Sequence, residues 1–166
     1  ADGSDLVLGP IEVPAGPIPD VKALDMGRTL NVLFADHVTL LGYKLESGLK
    51  RGDGLHLTLY WQASGQISQD YLVFNHLTGE NGLTYSQKDN PPVDGYYPTS
   101  RWTAGEIVRD RYDLSIPANA PAQGYAIEIG LYLPSTGQRL PILDCVDHSC
   151  PGGDRVVLYR FEVTDR

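Results

Sequence analysis

Apolar and polar positions alternate along most of this chain, and the period is two. Leu30, Val32 and Phe34 share one parity, and Leu41, Tyr43 and Leu45 form a second such run. Leu55, Leu57, Leu59 and Trp61 repeat the pattern, with His56, Thr58 and Tyr60 on the opposite face. A continuous apolar stretch covers 71–74. Val108, Asp110, Tyr112 and Leu114 then alternate against Ile107, Arg109, Arg111 and Asp113. Tyr125, Ile127, Ile129, Leu131 and Leu133 alternate again, and 156–163 closes the series. A period of two places every second side chain on one face of a pleated strand. Turn clusters at Gly52-Asp53-Gly54, 79–82 and 134–137 separate the runs. The pattern predicts about eight strands and no helix. The fold class is all-β, a two-sheet antiparallel sandwich of jelly-roll or immunoglobulin-like type.

Two stretches break the alternation. Residues 1–29 carry Pro10, Pro14, Pro17 and Pro19, which forbid a regular helix and favour an extended path. Leu6, Val7, Leu8, Ile11, Val13 and Ile18 suggest that this Pro/Gly-rich lead-in lies against the domain, leaving 30–166 as a single sandwich. The second break is 88–103, sixteen residues without a strand pattern. Connections of that length are functional or mobile, and Pro91, Pro92 and Pro98 argue for a defined path.

Composition narrows the function more than it names it. The chain has 166 residues with 18 Gly and 12 Pro, an excess that suits many turns. One domain is the expectation at this length. A formal net charge of −8, with no basic block, argues against a nucleic-acid partner and against docking by charge on an anionic membrane. No apolar run is long enough for a transmembrane segment. The chain opens on Ala1 and its single methionine is Met26, which marks a processed or excised product, or one that lost its first Met.

Cys145 and Cys150 flank a short polar loop. A local disulfide is the favoured reading, and it points to an oxidising compartment. A metal site using Cys145, His148 and Cys150 competes with it, but no fourth ligand stands out nearby. Two reduced thiols are the third alternative.

Catalytic motifs are missing. No phosphate loop, H-E-x-x-H or G-x-S-x-G elbow occurs, so the chain reads as no enzyme. His76 shares parity with Leu72 and Phe74, and Asp110 shares parity with Val108, Tyr112 and Leu114. A carboxylate on a buried face needs partners, and Arg101, Arg109, Arg111 and His76 are the candidates. Asp110, His76 and Arg101 therefore form either a polar bridge that locks the 88–103 loop or an acid/base pair. The second reading has no nucleophile or oxyanion donors beside it. Loop carboxylates Asp36, Asp53, Asp89, Asp94, Asp144, Asp147 and Asp154 leave calcium as a subsidiary reading, against a default of no metal and a solvated acidic surface.

The aromatic residues carry the ligand argument. Tyr96, Tyr97 and Trp102 fall together in the long loop, and Tyr60 is on the polar parity of its strand. Exposed flat rings among Asp, Asn and Arg would suit a sugar-binding surface. The same rings also serve to anchor long loops onto sandwiches.

The blocks Y-P-T-S-R-W-T-A-G-E-I-V-R-D-R-Y-D-L-S-I-P (97–117), G-Y-A-I-E-I-G-L-Y-L-P-S-T-G-Q-R-L-P-I (124–142) and G-D-R-V-V-L (153–158) add a family resemblance. So do L-L-G-Y-K-L (40–45), L-T-L-Y-W-Q-A (57–63) and V-F-N-H-L (73–77). Together they resemble extracytoplasmic β-sandwich domains at the C-terminal end of bacterial multi-pass membrane glycosyltransferases of the dolichyl-phosphate-mannose type. Asn75, in place of an apolar residue, and the Cys145–Cys150 insert depart from that pattern. The resemblance implies an exported accessory domain without catalytic residues of its own, alongside a membrane glycosyltransferase region in the same polypeptide.

The expected function is a non-catalytic extracytoplasmic binding module, periplasmic, cell-surface or secreted, that contacts carbohydrate or another cell-envelope component. A protein-interaction or inhibitor domain using the 88–103 loop is the alternative, and a glycan-processing enzyme the third.

Overall fold

The computed structural model describes residues 20–145, 150–151 and 153–165. The lead-in over 1–19, and Asp147 and His148 of the cysteine loop, lie outside the described residues. The described residues form nine strands: β1 (Arg28–Phe34), β2 (Val38–Ser47), β3 (Gly54–Ala63), β4 (Leu72–Gly79), β5 (Thr84–Gln87), β6 (Ile107–Ser115), β7 (Gln123–Tyr132), β8 (Ile142–Asp144) and β9 (Val156–Val163). Three short 3-10 turns join them, and no α-helix occurs among the described residues.

The strands form two antiparallel sheets, β6-β3-β2-β1-β8 and β5-β4-β7-β9. Strands β1 to β3 are consecutive hairpin neighbours in the larger sheet, β6 returns beside β3, and β7 sits between β4 and β9. This is the pairing of an immunoglobulin-like sandwich with added edge strands. Tyr125, near the start of β7, donates its hydroxyl to the Pro121 carbonyl at 2.9 Å. That is the tyrosine corner such sandwiches use to set the entry into a central strand.

The alternating runs become the inner faces. Leu55, Leu57, Leu59 and Trp61 of β3 are buried against Ile127, Ile129 and Leu131 of β7, with Phe34 and Trp61 edge to face at 6.0 Å. Burying side chains of this size contributes about 1.5–3 kcal/mol each. Tyr43 donates its hydroxyl to the Leu158 carbonyl at 2.5 Å, tying one sheet to the other.

Parity changes where the ladder bulges. Leu40 opposes Trp61 and Gly42 opposes Tyr60, so the bulge turns Leu40 and Tyr43 to the same inner face. The expected run Leu41/Tyr43/Leu45 is corrected accordingly: Leu41 is buried, but it lies outside the core cluster that includes Leu40 and Tyr43. Gly42 is required because a Cβ there would strike Arg28 O and Met26 Sδ of the crossing chain.

The β4 parity is corrected too. Val73, Asn75 and Leu77 face inward, while His76 and Phe74, the latter buried beneath Arg139 and outside the core cluster, belong to the outer face. The continuous apolar stretch over 71–74 conceals this, because both faces of the strand are apolar there.

The 88–103 loop follows a defined path from β5 toward β6. Buried Thr99 donates its hydroxyl to the Gln69 carbonyl at 2.6 Å and accepts from the Tyr71 amide at 2.9 Å. The Ser100 amide donates to Asp70 at 3.0 Å, and the Trp102 indole donates to the Tyr97 carbonyl at 3.1 Å. Val93 and Asp94 both take positive φ, at 55° and 52°. That conformation is costly for a β-branched residue, and the surrounding contacts hold it.

Candidate ligand-binding face

The four aromatic candidates do not converge on one surface. Trp102 is 2% exposed and belongs to the core, and Tyr60 is 3% exposed with its hydroxyl donating to the Asp25 carbonyl at 3.2 Å. Tyr60 does occupy the outer face of β3, but the segment before β1 covers it. Tyr97 is half-buried and donates to Glu106 at 2.8 Å. Tyr96 alone is open, at 83% exposure. The expected sugar platform is therefore corrected: its rings mostly fasten the loop, because large flat side chains gain more from burial than from display.

Asp110, His76 and Arg101 are likewise separated. Asp110, 1% exposed, accepts from the Val93 amide at 2.8 Å and from the Tyr112 hydroxyl at 2.6 Å. It thus holds the loop at its left-handed residue, through partners that sequence parity did not name. The Trp61 indole leans toward the same carboxylate without a well-formed hydrogen bond. Burial pushes Asp110 up to about 6, partly opposed by the bonds from Tyr112 and Val93. Burial first, and then Asp110, also drive the Tyr112 hydroxyl upward. Asn75 is fully buried nearby, its amide donating to the Lys88 carbonyl at 3.2 Å while its Oδ1 has no hydrogen-bond partner among the described residues. His76 pairs with Asp89 at 3.0 Å on the other sheet's outer face, and the Arg101 side chain is exposed.

Cys145 and Cys150 are joined in a disulfide, a linkage characteristic of oxidising compartments. Among the described residues, no group of three His, Cys, Asp or Glu is placed to hold a metal ion.

Sequence reasoning passed over the outer face of the smaller sheet. Strand β7 presents Gly124, Ala126, Glu128 and Gly130 there, interleaved with the core residues Tyr125, Ile127, Ile129 and Leu131. Small residues on a central strand between fuller neighbours leave a trough. It forms a groove of about 560 Å³ between β4 and β9. Glu80 lies across Gly124 at one end. At the other end the Phe74 ring sits where a Gly130 side chain would be, only 2.5 Å from that ideal Cβ.

Between those ends the walls are polar. Glu128 is paired with Arg155 at 3.4 Å, and the Thr78 hydroxyl is 3.4 Å from the same carboxylate. Arg155 Nε is buried with no hydrogen-bond partner among the described residues. Arg160 stands opposite Ala126 on β9, and Glu162 opposite Gly124. Carboxylates accept and guanidinium groups donate, so this surface can satisfy vicinal hydroxyls of both roles. The sequence signal was present as the small-residue parity of 124–130, which the opposite, apolar parity overshadowed.

The class defined here is an all-antiparallel, immunoglobulin-like β-sandwich with a polar groove on one outer sheet face. No family model matches the sequence, and no curated protein matches it either. Among solved structures, the crystal structure of the C-terminal domain of Wzt is similar, with a TM-score of 0.51 and 10% identity. The match covers 85% of this chain and 81% of that one, and at this identity it establishes the shared sandwich fold. Among the described residues, no helix is long and apolar enough to cross a membrane.

Proposed function

We propose that this chain is a non-catalytic, exported carbohydrate-binding accessory domain that holds a neutral glycan in the β7 groove. The carrying observation is the trough itself. A floor at Ala126, between Glu80 over Gly124 and the Phe74 ring over Gly130, admits a ligand against the sheet, and walls bearing Glu128, Arg155 and Arg160 offer donors and acceptors. Mixed charge on those walls favours hydroxyl-rich neutral ligands over polyanions, and the net charge of −8 repels the latter. The Cys145–Cys150 disulfide supports an extracytoplasmic location. The resemblance to glycosyltransferase-appended sandwiches supports an accessory role beside a membrane enzyme.

Ala126→Trp tests the reading, since it fills the trough from its floor without touching the inner core. On an array of bacterial envelope glycans the wild type should bind, and Ala126→Trp should lose binding by at least about tenfold while keeping its melting temperature. Unchanged binding by a folded Ala126→Trp protein, or no binding by the wild type to any glycan, refutes the groove as the site. A second reading, a protein partner at the loop, is favoured by exposed Tyr96. Tyr96→Ala would then abolish capture of that partner and leave glycan binding intact.

A further inference from the structure

Past Phe74 the same sheet face opens again. A hollow of about 200 Å³ is lined by Phe74, His76, Asp89, Tyr132, Gly137 and Arg139. Its polar groups are already oriented. His76 Nε2 lies 3.0 Å from Asp89 Oδ1, and the Tyr132 hydroxyl is near enough to Asp89 to feel its charge. Burial foremost, with Asp89 adding to it, raises Tyr132 and keeps its phenol a protonated donor.

On β7 the partition between groove and hollow is Gly130, which the Phe74 ring covers. The Arg139 guanidinium stacks 4.4 Å from the centre of the Phe74 ring, and Asp154, 3.5 Å away, holds that guanidinium. Across the partition the two spaces stay in register, since His76 of the hollow opposes Glu128 of the groove. Outward positions on one strand repeat about every 7 Å, on the scale of a pyranose ring.

We infer that this hollow is a second subsite of the glycan-binding face, taking a further neutral sugar unit of a linear chain that crosses the Phe74–Arg139 partition. The inference rests on the proposed glycan reading and adds to it the class of ligand: an extended oligosaccharide, contacted at two places. Asp89 accepts from a sugar hydroxyl, while Tyr132 and His76 supply the second hydrogen bond. The Arg139 guanidinium, stacked over the buried Phe74 ring, forms the ridge that the chain passes over.

The test is calorimetric titration with linear mannose-, glucose- and galactose-based oligosaccharides of two to six units. In the wild type, affinity should rise with length and then level off. Tyr132→Phe and Asp89→Asn should bind the shortest binder as the wild type does and lose the gain with length, about threefold to tenfold. Imidazole resonances of His76 should shift with the longer oligosaccharides and stay still with the shortest. A wild-type affinity independent of length, or variants that keep the full gain, overturns the second subsite while leaving the groove standing. Failure of the wild type to bind any length overturns the groove reading and the subsite with it. Two variants are specified so that misfolding of one leaves the other decisive.

Discussion

Asp110→Asn separates charge from shape at the buried centre that holds the 88–103 loop. The wild-type carboxylate has a folded value of about 6 against a reference of 3.8, and its largest cause is desolvation. None of the causes acting on it is a cation: Tyr112, the Val93 amide and Trp61 lower its value, while Asp94 raises it. The folded protein therefore holds the Asp110 proton more tightly than the unfolded chain does. Its contribution to stability is fully present below about pH 4 and is lost as pH rises through about 6. A gap of about two units, at about 1.4 kcal/mol per unit, is worth roughly 3 kcal/mol between those limits.

Asparagine keeps an acceptor for the Val93 amide. Its amide can donate to Tyr112, whose own hydrogen then turns toward the Asn90 carbonyl 3.5 Å away. Urea unfolding of both proteins at intervals from pH 4 to pH 7.5 gives the comparison directly. The wild type should lose roughly 3 kcal/mol relative to Asp110→Asn across the window, most of it between pH 4 and 6. Other carboxylates titrate equally in both proteins and cancel in the difference. Parallel stability curves would refute the account, since they would mean that Asp110 carries no buried charge.

Trp102→Ala should destabilise the domain by about 3–5 kcal/mol in thermal or urea unfolding, as expected for a buried indole that also fastens Tyr97. Tyr96→Ala, at a ring 83% exposed, should stay within about 0.5 kcal/mol, and a larger loss would mean that Tyr96 is structural after all. Reduction of the Cys145–Cys150 bridge, five residues apart, should add two mass units and cost about 2 kcal/mol by loop-closure entropy. An unchanged midpoint under reductant would put that loop outside the cooperative unit.

Some strands were legible because one face is buried and the other wet. In β3, β6 and β7 every inner residue is apolar or anchored, so a period of two reads directly as a strand. Strands β5 and β8, four and three residues long, show no such signal, because pairing with β4 and β1 defines them rather than burial. Phe74 and His76 were placed on the wrong face for a related reason. An apolar ring covered by Arg139 on the outside looks, in one dimension, the same as a core residue.

Local chemistry settled the sandwich class, the turn positions and the closely spaced cysteine pair, since each depends on neighbours in the chain. Only the tertiary structure decided which rings are open and what Asp110 touches. Tyr60 disappears beneath Asp25, thirty-five residues away, and Asp110 meets Val93, seventeen away. The groove on the smaller sheet belongs to that second kind of fact. Gly124 and Ala126 are unremarkable small residues until β4 and β9 rise on either side of them, because a trough is a relation among three strands.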